Sequence, residues 1–174
     1  MIAGIHADAI RSCGGEIVLA VSRTFEGAKN FAGACGIPRY SDRLLPEDLE
    51  DVDAVYICTP PETHLEYFRI SAGAGKAVFC EKPLALSVSD AEELCMIAEE
   101  TGIFAAVDFN NRFYPAVNRL KDMAGEIGEP VLVNGRYFQE FHILPCPYSW
   151  RYEDPMRAVS EIGSHYLDLV RYVT

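Results

Sequence analysis

Two short segments of this 174-residue sequence carry side chains able to move protons. The first is Glu81-Lys82-Pro83, which ends the apolar run Ala77-Val78-Phe79-Cys80. Proline offers no N–H to a ladder and stops a strand. The run therefore predicts a buried strand with Lys82 at its carboxyl end, the edge at which open α/β sheets bind ligands. The second segment is Glu161-Ile162-Gly163-Ser164-His165-Tyr166-Leu167-Asp168. Glu161, His165 and Asp168 fall at i, i+4 and i+7, one polar stripe on a helix expected over about Arg157 to Val173. Ala158, Ile162, Tyr166, Leu169 and Val173 form the apolar stripe beside it, as a helix lining a cleft requires. A lysine, a histidine and a carboxylate form a set that can take a proton from a hydroxyl and return it. Plainer readings stand beside this one: Lys82 as a surface lysine, His165 as a helix-face histidine bonded to Glu161, and Asp168 as a structural carboxylate pairing with Arg171 or Arg157.

The elements that would position these residues alternate between strand and helix. Expected strands are Glu16 to Val21, Asp53 to Cys58 (apolar on both faces), Ala77 to Cys80 and Ile103 to Val107. Helices are expected over Met1 to Ile10, Phe25 to Ala34, Glu62 to Ala72, and from a capping box at Ser89-Asp90-Ala91-Glu92 to Gly102. This order argues for a parallel α/β sheet. After Phe113 the character changes: an amphipathic helix over Pro115 to Ala124, a turn at Ile127-Gly128-Glu129-Pro130, a strand over Val131 to Phe138, and an irregular Pro-, Tyr- and Trp-rich stretch to Asp154. The expected division is 1–112 for the sheet domain and 113–174 for the start of a second α/β domain.

Composition sets outer bounds. The chain is 49% hydrophobic and 24% charged, an ordinary globular balance. Its net charge of −11 argues against nucleic-acid and anionic-membrane partners, which need clustered Lys and Arg. No apolar stretch is long enough to span a bilayer, and the N-terminus does not read as a signal peptide. The 6 cysteines show no CxxC pair. Cys58, Cys80 and Cys95 lie in apolar runs and read as small core residues in a reducing cytoplasm. No His, Cys, Asp or Glu cluster has metal-ligand spacing, so no metal is expected. His6 and His142 carry no specific signal.

Several segments in order carry a family resemblance: Asp53-Ala54-Val55-Tyr56-Ile57-Cys58-Thr59-Pro60-Pro61 with His64, Gly75-Lys76, Glu81-Lys82-Pro83-Leu84-Ala85-Leu86-Ser87, Phe109-Asn110-Asn111-Arg112-Phe113-Tyr114-Pro115, Ile127-Gly128-Glu129-Pro130, and Glu161-x-Gly163-x-His165-x-x-Asp168. From Ile2 to Thr174 the chain resembles the glucose–fructose oxidoreductase/inositol dehydrogenase (Gfo/Idh/MocA) family. The resemblance implies a Rossmann-type sheet followed by a second α/β domain. It also implies hydride transfer between NAD(P) and a hydroxyl or carbonyl of a sugar, polyol or similar small molecule. Against that pattern the chain reads as a piece, with the first strand and the first two glycines of GxGxxG expected before Met1 and most of the second sheet after Thr174.

The resemblance also assigns roles. Lys82 would lie beside the nicotinamide, His165 would be the acid/base, and Glu161 would stand where the family usually has Asp. Ser22 and Arg23, Thr59, Pro60 and Pro61, His64, Glu81, Lys82 and Asn110 would border the cofactor, with a helix-capping role as the alternative for His64. Arg112, Trp150 and Asp168 would face the substrate; for Trp150, as for Tyr148 and Tyr152, core or loop packing is the alternative. Ser22-Arg23 follows the strand whose end holds the adenosine ribose in such folds. A hydroxyl and a guanidinium there suit a 2′-phosphate, so NADP is expected ahead of NAD. The expected setting is cytoplasmic, with a small-molecule substrate and homo-oligomers in the full-length protein. The competing reading is a catalytically inactive relative, either a binding module or a mis-called reading frame.

Overall fold

The computed structural model describes residues 2–138 and 159–174. It forms two compact units, Met1–Val107 and Asp108–Thr174, divided five residues ahead of the boundary expected from sequence.

The first unit is α/β with parallel strands. Helix α1 (Ile2–Ser12) precedes β1 (Leu19–Val21), α2 (Phe25–Cys35) and β2 (Arg39–Ser41); β3 (Ala54–Ile57), α3 (His64–Gly73), β4 (Ala77–Cys80), α4 (Val88–Thr101) and β5 (Ala105–Val107) follow. Two parallel sheets result, β1-β2 and β3-β4-β5. Each hydrogen-bonded pair, β1-β2, β3-β4 and β4-β5, is joined by an α-helical crossover, the connection parallel strands need. Strand β2 was not foreseen, because Arg39-Tyr40-Ser41 has neither apolar run nor alternation. Strand β4 is central and alternates towards full burial, with Val78 and Cys80 in the core. Strand β3 is less covered than its apolar sequence suggests: Ala54 and Tyr56 are exposed, because β3 lies at the sheet's edge and pairs with β4 alone.

The larger core joins Ile57, Val78 and Cys80 of the sheet to Phe68 and Ala72 of α3 and Leu94 of α4. Each large apolar side chain there contributes about 1.5–3 kcal/mol by leaving water. A smaller cluster of Ala20, Ala32 and Ile37 holds β1 against α2. Helix α2 begins at Thr24, whose hydroxyl accepts from the Gly27 N–H, and ends at Gly36 with φ 63°. That left-handed position suits glycine, which has no Cβ to clash. Helix α4 is capped by Ser87, which accepts from the Asp90 N–H at 3.1 Å, rather than by the expected Ser89. The Ser89 hydroxyl bonds that of Ser87 instead.

In the second unit a 3-10 turn, Asn110–Phe113, leads into α5 (Pro115–Ala124), and α6 (Ser164–Val173) packs against both. Residues 131–138 form no strand, contrary to expectation. Val131, Leu132 and Phe138 are exposed, and no neighbouring strand among the described residues offers them a ladder. The expected regular helix from Arg157 also differs: Val159–Gly163 forms a π-helical turn before α6. Wider i→i+5 winding shifts Glu161 relative to a regular i, i+4 stripe.

Candidate active site

The carboxyl end of β4 places Glu81 and Lys82 directly after the most buried strand, as the sequence led us to expect. The Glu81 carboxylate grips the loop from two directions. Its Oε2 accepts from the Lys82 backbone N–H at 3.1 Å, and its Oε1 accepts from His6 Nε2 at 2.9 Å. Both side chains of the His6–Glu81 pair are only 13% exposed. Burial alone would push the Glu81 carboxyl up, but the hydrogen bond and charge of His6, with the N–H and charge of Lys82, outweigh it and hold the group below its usual range. The His6 ring packs against Tyr56 (centroids 5.8 Å) and edge-on to Phe79 (6.1 Å), two residues paired across β3 and β4. His6 is thus a site residue the sequence did not single out. Its position in α1 is 75 residues from Glu81, and no local pattern links them.

The turn after β3 carries Thr59, Pro60 and Pro61. It is tied by the Thr63 hydroxyl, which donates to Thr59 Oγ1 at 2.8 Å. His64 does not cap α3. Its ring is fully buried, with Nε2 2.9 Å from the Thr59 carbonyl and Nδ1 3.1 Å from the Leu84 carbonyl. It bridges the two loops that leave β3 and β4, so it shapes this edge instead of exposing its ring there. Ser22 and Arg23 follow β1, with the Ser22 N–H donating to the Ser41 carbonyl and Arg23 exposed. These loops share the carboxyl side of the two sheets. An apolar hollow of about 260 Å³ lined by Phe68, Leu84, Leu94 and Ala105–Val107 offers no charged group beyond Glu99, and none of the candidate residues lines it.

Cys80, fully buried beside Glu81, has its thiol pushed up to about 12, first by burial and then by the charges of Glu81 and Cys58. Cys95 departs from expectation: it is exposed, one position from buried Leu94 on α4. Cys13, Cys35, Cys58, Cys80 and Cys95 are thiols, and no disulfide links them.

In the second unit, Glu161 sits in the π-turn and His165 in the first turn of α6, with the Phe109 ring edge-on to the imidazole at 6.1 Å. Asp168 is paired with Arg112; among the described residues Arg171 is not its ion-pair partner, and Arg157 lies outside them. Arg112 Nε donates to Asp168 Oδ2 at 2.7 Å and Nη2 donates to Oδ1, a bidentate clasp. The same guanidinium lies over the rings of Phe109 and Tyr172. Arg112 and Asp168 are therefore engaged with each other and anchor the helix that carries His165. Asn110 is exposed on the 3-10 turn. Trp150 lies outside the described residues, as do Tyr148 and Tyr152.

A parallel sheet with a lysine at the carboxyl end of its central strand, and a basic residue beyond β1, presents charged groups at the edge where open α/β sheets bind ligands. Comparison with known proteins supplies the family. Residues 3–109 match the family described as "Oxidoreductase family, NAD-binding Rossmann fold". The chain belongs to this Gfo/Idh/MocA family. It is 34% identical over 173 residues to the 1,5-anhydro-D-fructose reductase of Ensifer adhaerens, covering 95% of this chain and 51% of that protein. It is 34% identical over 127 residues to the D-xylose 1-dehydrogenase [NADP(+)] of Haloarcula marismortui, covering 70% of this chain and 35% of the relative. The crystal structure of an NAD-binding oxidoreductase from Klebsiella pneumoniae superposes with a TM-score of 0.87 at 27% identity, over 99% of this chain and 50% of that one. The chain thus spans about half the length, or less, of the proteins it matches.

Proposed function

We propose that this chain is the nicotinamide-dinucleotide-binding part of an oxidoreductase that exchanges a hydride with a hydroxyl or carbonyl of a sugar, polyol or similar small molecule. The observation that carries the reading is Lys82 at the carboxyl end of β4, its backbone N–H held by the Glu81 carboxylate. When bound, a nicotinamide dinucleotide accepts or supplies the hydride. The residues present fit such a group: an exposed guanidinium at Arg23, the Thr59-Pro60-Pro61 turn and an ammonium at Lys82 on the carboxyl side of parallel strands. The Lys82 ammonium polarises the reacting oxygen, and His165 takes the proton as an alcohol is oxidised and returns it as a carbonyl is reduced. Glu161 supports the imidazole from the π-turn. Arg112 and Asp168 hold α6 in place.

On this reading Ser22 and Arg23 favour NADP, because the hydroxyl and guanidinium suit a 2′-phosphate. The relatives differ on this point, one being named for NADP and a matched structure for NAD. The test is thermal-shift titration of the full chain with NAD(H) and NADP(H), followed by a screen of polyols and sugars for nicotinamide absorbance change. A shift with NADPH that weakens in Arg23→Ala supports the reading. No shift with any of the four at millimolar concentration removes it.

A further inference from the structure

We propose that His6 is a positioning residue: through Glu81 it fixes the loop that carries Lys82. The chain of contacts is short. His6 Nε2 donates to Glu81 Oε1 at 2.9 Å, and Glu81 Oε2 accepts from the Lys82 N–H at 3.1 Å. One carboxylate therefore joins a residue of α1 to the backbone of the lysine, with little water to compete, since both side chains are 13% exposed. Tyr56 and Phe79 close on the imidazole and set its direction.

The arrangement makes the lysine's position depend on α1. That helix touches both halves of the unit: His6 meets β3, β4 and Glu81, and Arg11 donates to the Cys35 carbonyl at the end of α2. A shift of α1 moves the His6 donor, and without that donor a buried carboxylate must find water or another partner. The Glu81 carboxylate then turns, and the Lys82 N–H loses its acceptor. Lys82 is the group that touches the reacting atoms; His6 acts only through Glu81. The catalytic significance of the pair rests on the oxidoreductase reading, whereas the structural coupling does not.

The test compares wild type, His6→Ala and His6→Gln in the full chain. Glutamine keeps an N–H that can reach the carboxylate. Amide hydrogen exchange is read at Lys82 and, as references, at Val78 and Leu94. The expected result is Lys82 exchange faster by about tenfold in His6→Ala, in line with the loss of one hydrogen bond to a charged group. His6→Gln should return to within about threefold of wild type, and the references should stay unchanged. Glu81→Ala should reproduce the His6→Ala effect, and the double variant should add little to either. An unchanged Lys82 rate in His6→Ala overturns the proposal. So does a rise shared equally by Val78 and Leu94, which would mark general loosening, or a failure of His6→Gln to restore protection. Turnover is a separate readout. If wild type reduces or oxidises a polyol, His6→Ala should lower kcat by about tenfold with KM for the polyol unchanged. Whether or not the chain turns over a polyol, the exchange result decides the role of His6.

Discussion

Arg112 and Asp168, 56 residues apart, form a two-point clasp that fastens α6 to the 3-10 turn Asn110–Phe113. The clasp is lopsided: the Asp168 side chain is 7% exposed and that of Arg112 is 40%. Removing the arginine leaves a buried carboxylate without its main donor, whereas removing the acid leaves a cation that can turn to water. Arg112→Ala should therefore cost on the order of 2–3 kcal/mol, below the full range for a buried pair because the guanidinium is part-solvated. Asp168→Asn, which keeps the shape, should cost less. Denaturant melts of the two variants check the order, and the reverse order would contradict the asymmetry.

Glu81 predicts acid sensitivity. Its carboxyl is held below the usual range despite burial, by His6 and then Lys82. The unfolded state therefore binds this proton more readily than the folded one, near the ordinary Glu value of about 4.3. The resulting stabilisation is present above that pH and is lost as pH falls through the lower folded value. Thermal melts from pH 6 to pH 3 should fall more steeply for wild type than for Glu81→Gln. Parallel curves would show that the carboxylate contributes nothing to acid stability.

Cys80 should be silent towards alkylation in the folded protein. Its thiol is pushed up to about 12 and its side chain is inaccessible, whereas Cys13 and Cys95 are exposed. At pH 8, iodoacetamide followed by mass spectrometry should label Cys13 and Cys95 first and Cys80 only on unfolding.

Which parts of the molecule were legible in sequence follows the range of the interactions. Strand β4, the Lys82 position, α5 and the Gly36 stop rest on runs, periodicity and local turn chemistry, and the structure has each of them. The contacts that were missed or misassigned lie between residues far apart in the chain. His6 bonds Glu81, and Asp168 bonds the distant Arg112 rather than the sequence-near Arg171. His64 read as a cofactor-border residue or, alternatively, a helix cap, yet its buried ring serves the Leu84 carbonyl 20 residues on. Ser89 matched a capping box, but Ser87 two residues earlier satisfies the Asp90 N–H. Segment 131–138, with its partial polar alternation, read as a strand because pattern reports suitability for a sheet; a ladder also needs a partner.

His64 gives a prediction about the loops themselves. Its two ring nitrogens face the carbonyls of Thr59 and Leu84, and a neutral imidazole can donate to one of them at a time. His64→Leu keeps much of the volume and removes both polar contacts. It should cost about 2–4 kcal/mol from buried carbonyls left without a donor. Chemical denaturation measures it, and a cost below about 0.5 kcal/mol would show that water replaces the ring.

Gly135 approaches α6 so closely that a Cβ there would stand 2.2 Å from Tyr166 Cε2. The neighbour is a ring, which must swing away as a whole. Gly135→Ala should therefore destabilise the second unit by about 1–3 kcal/mol. A melt that matches wild type would show that the ring moves without cost.

The division of the parallel strands into β1-β2 and β3-β4-β5 has a consequence for how the first unit breathes. The three-stranded side holds the large core around Val78, Cys80 and Leu94, while the two-stranded side rests on Ala20, Ala32 and Ile37. Local opening follows buried apolar area, so the two-stranded side should open at lower cost than the three-stranded side. The end of β1, with Ser22 and Arg23, belongs to the two-stranded side, and Lys82 to the three-stranded side. On that expectation the proposed chemical group stands on the more firmly held side and the proposed cofactor-selecting pair on the side expected to open first, so cofactor selectivity could change with less disturbance to the lysine.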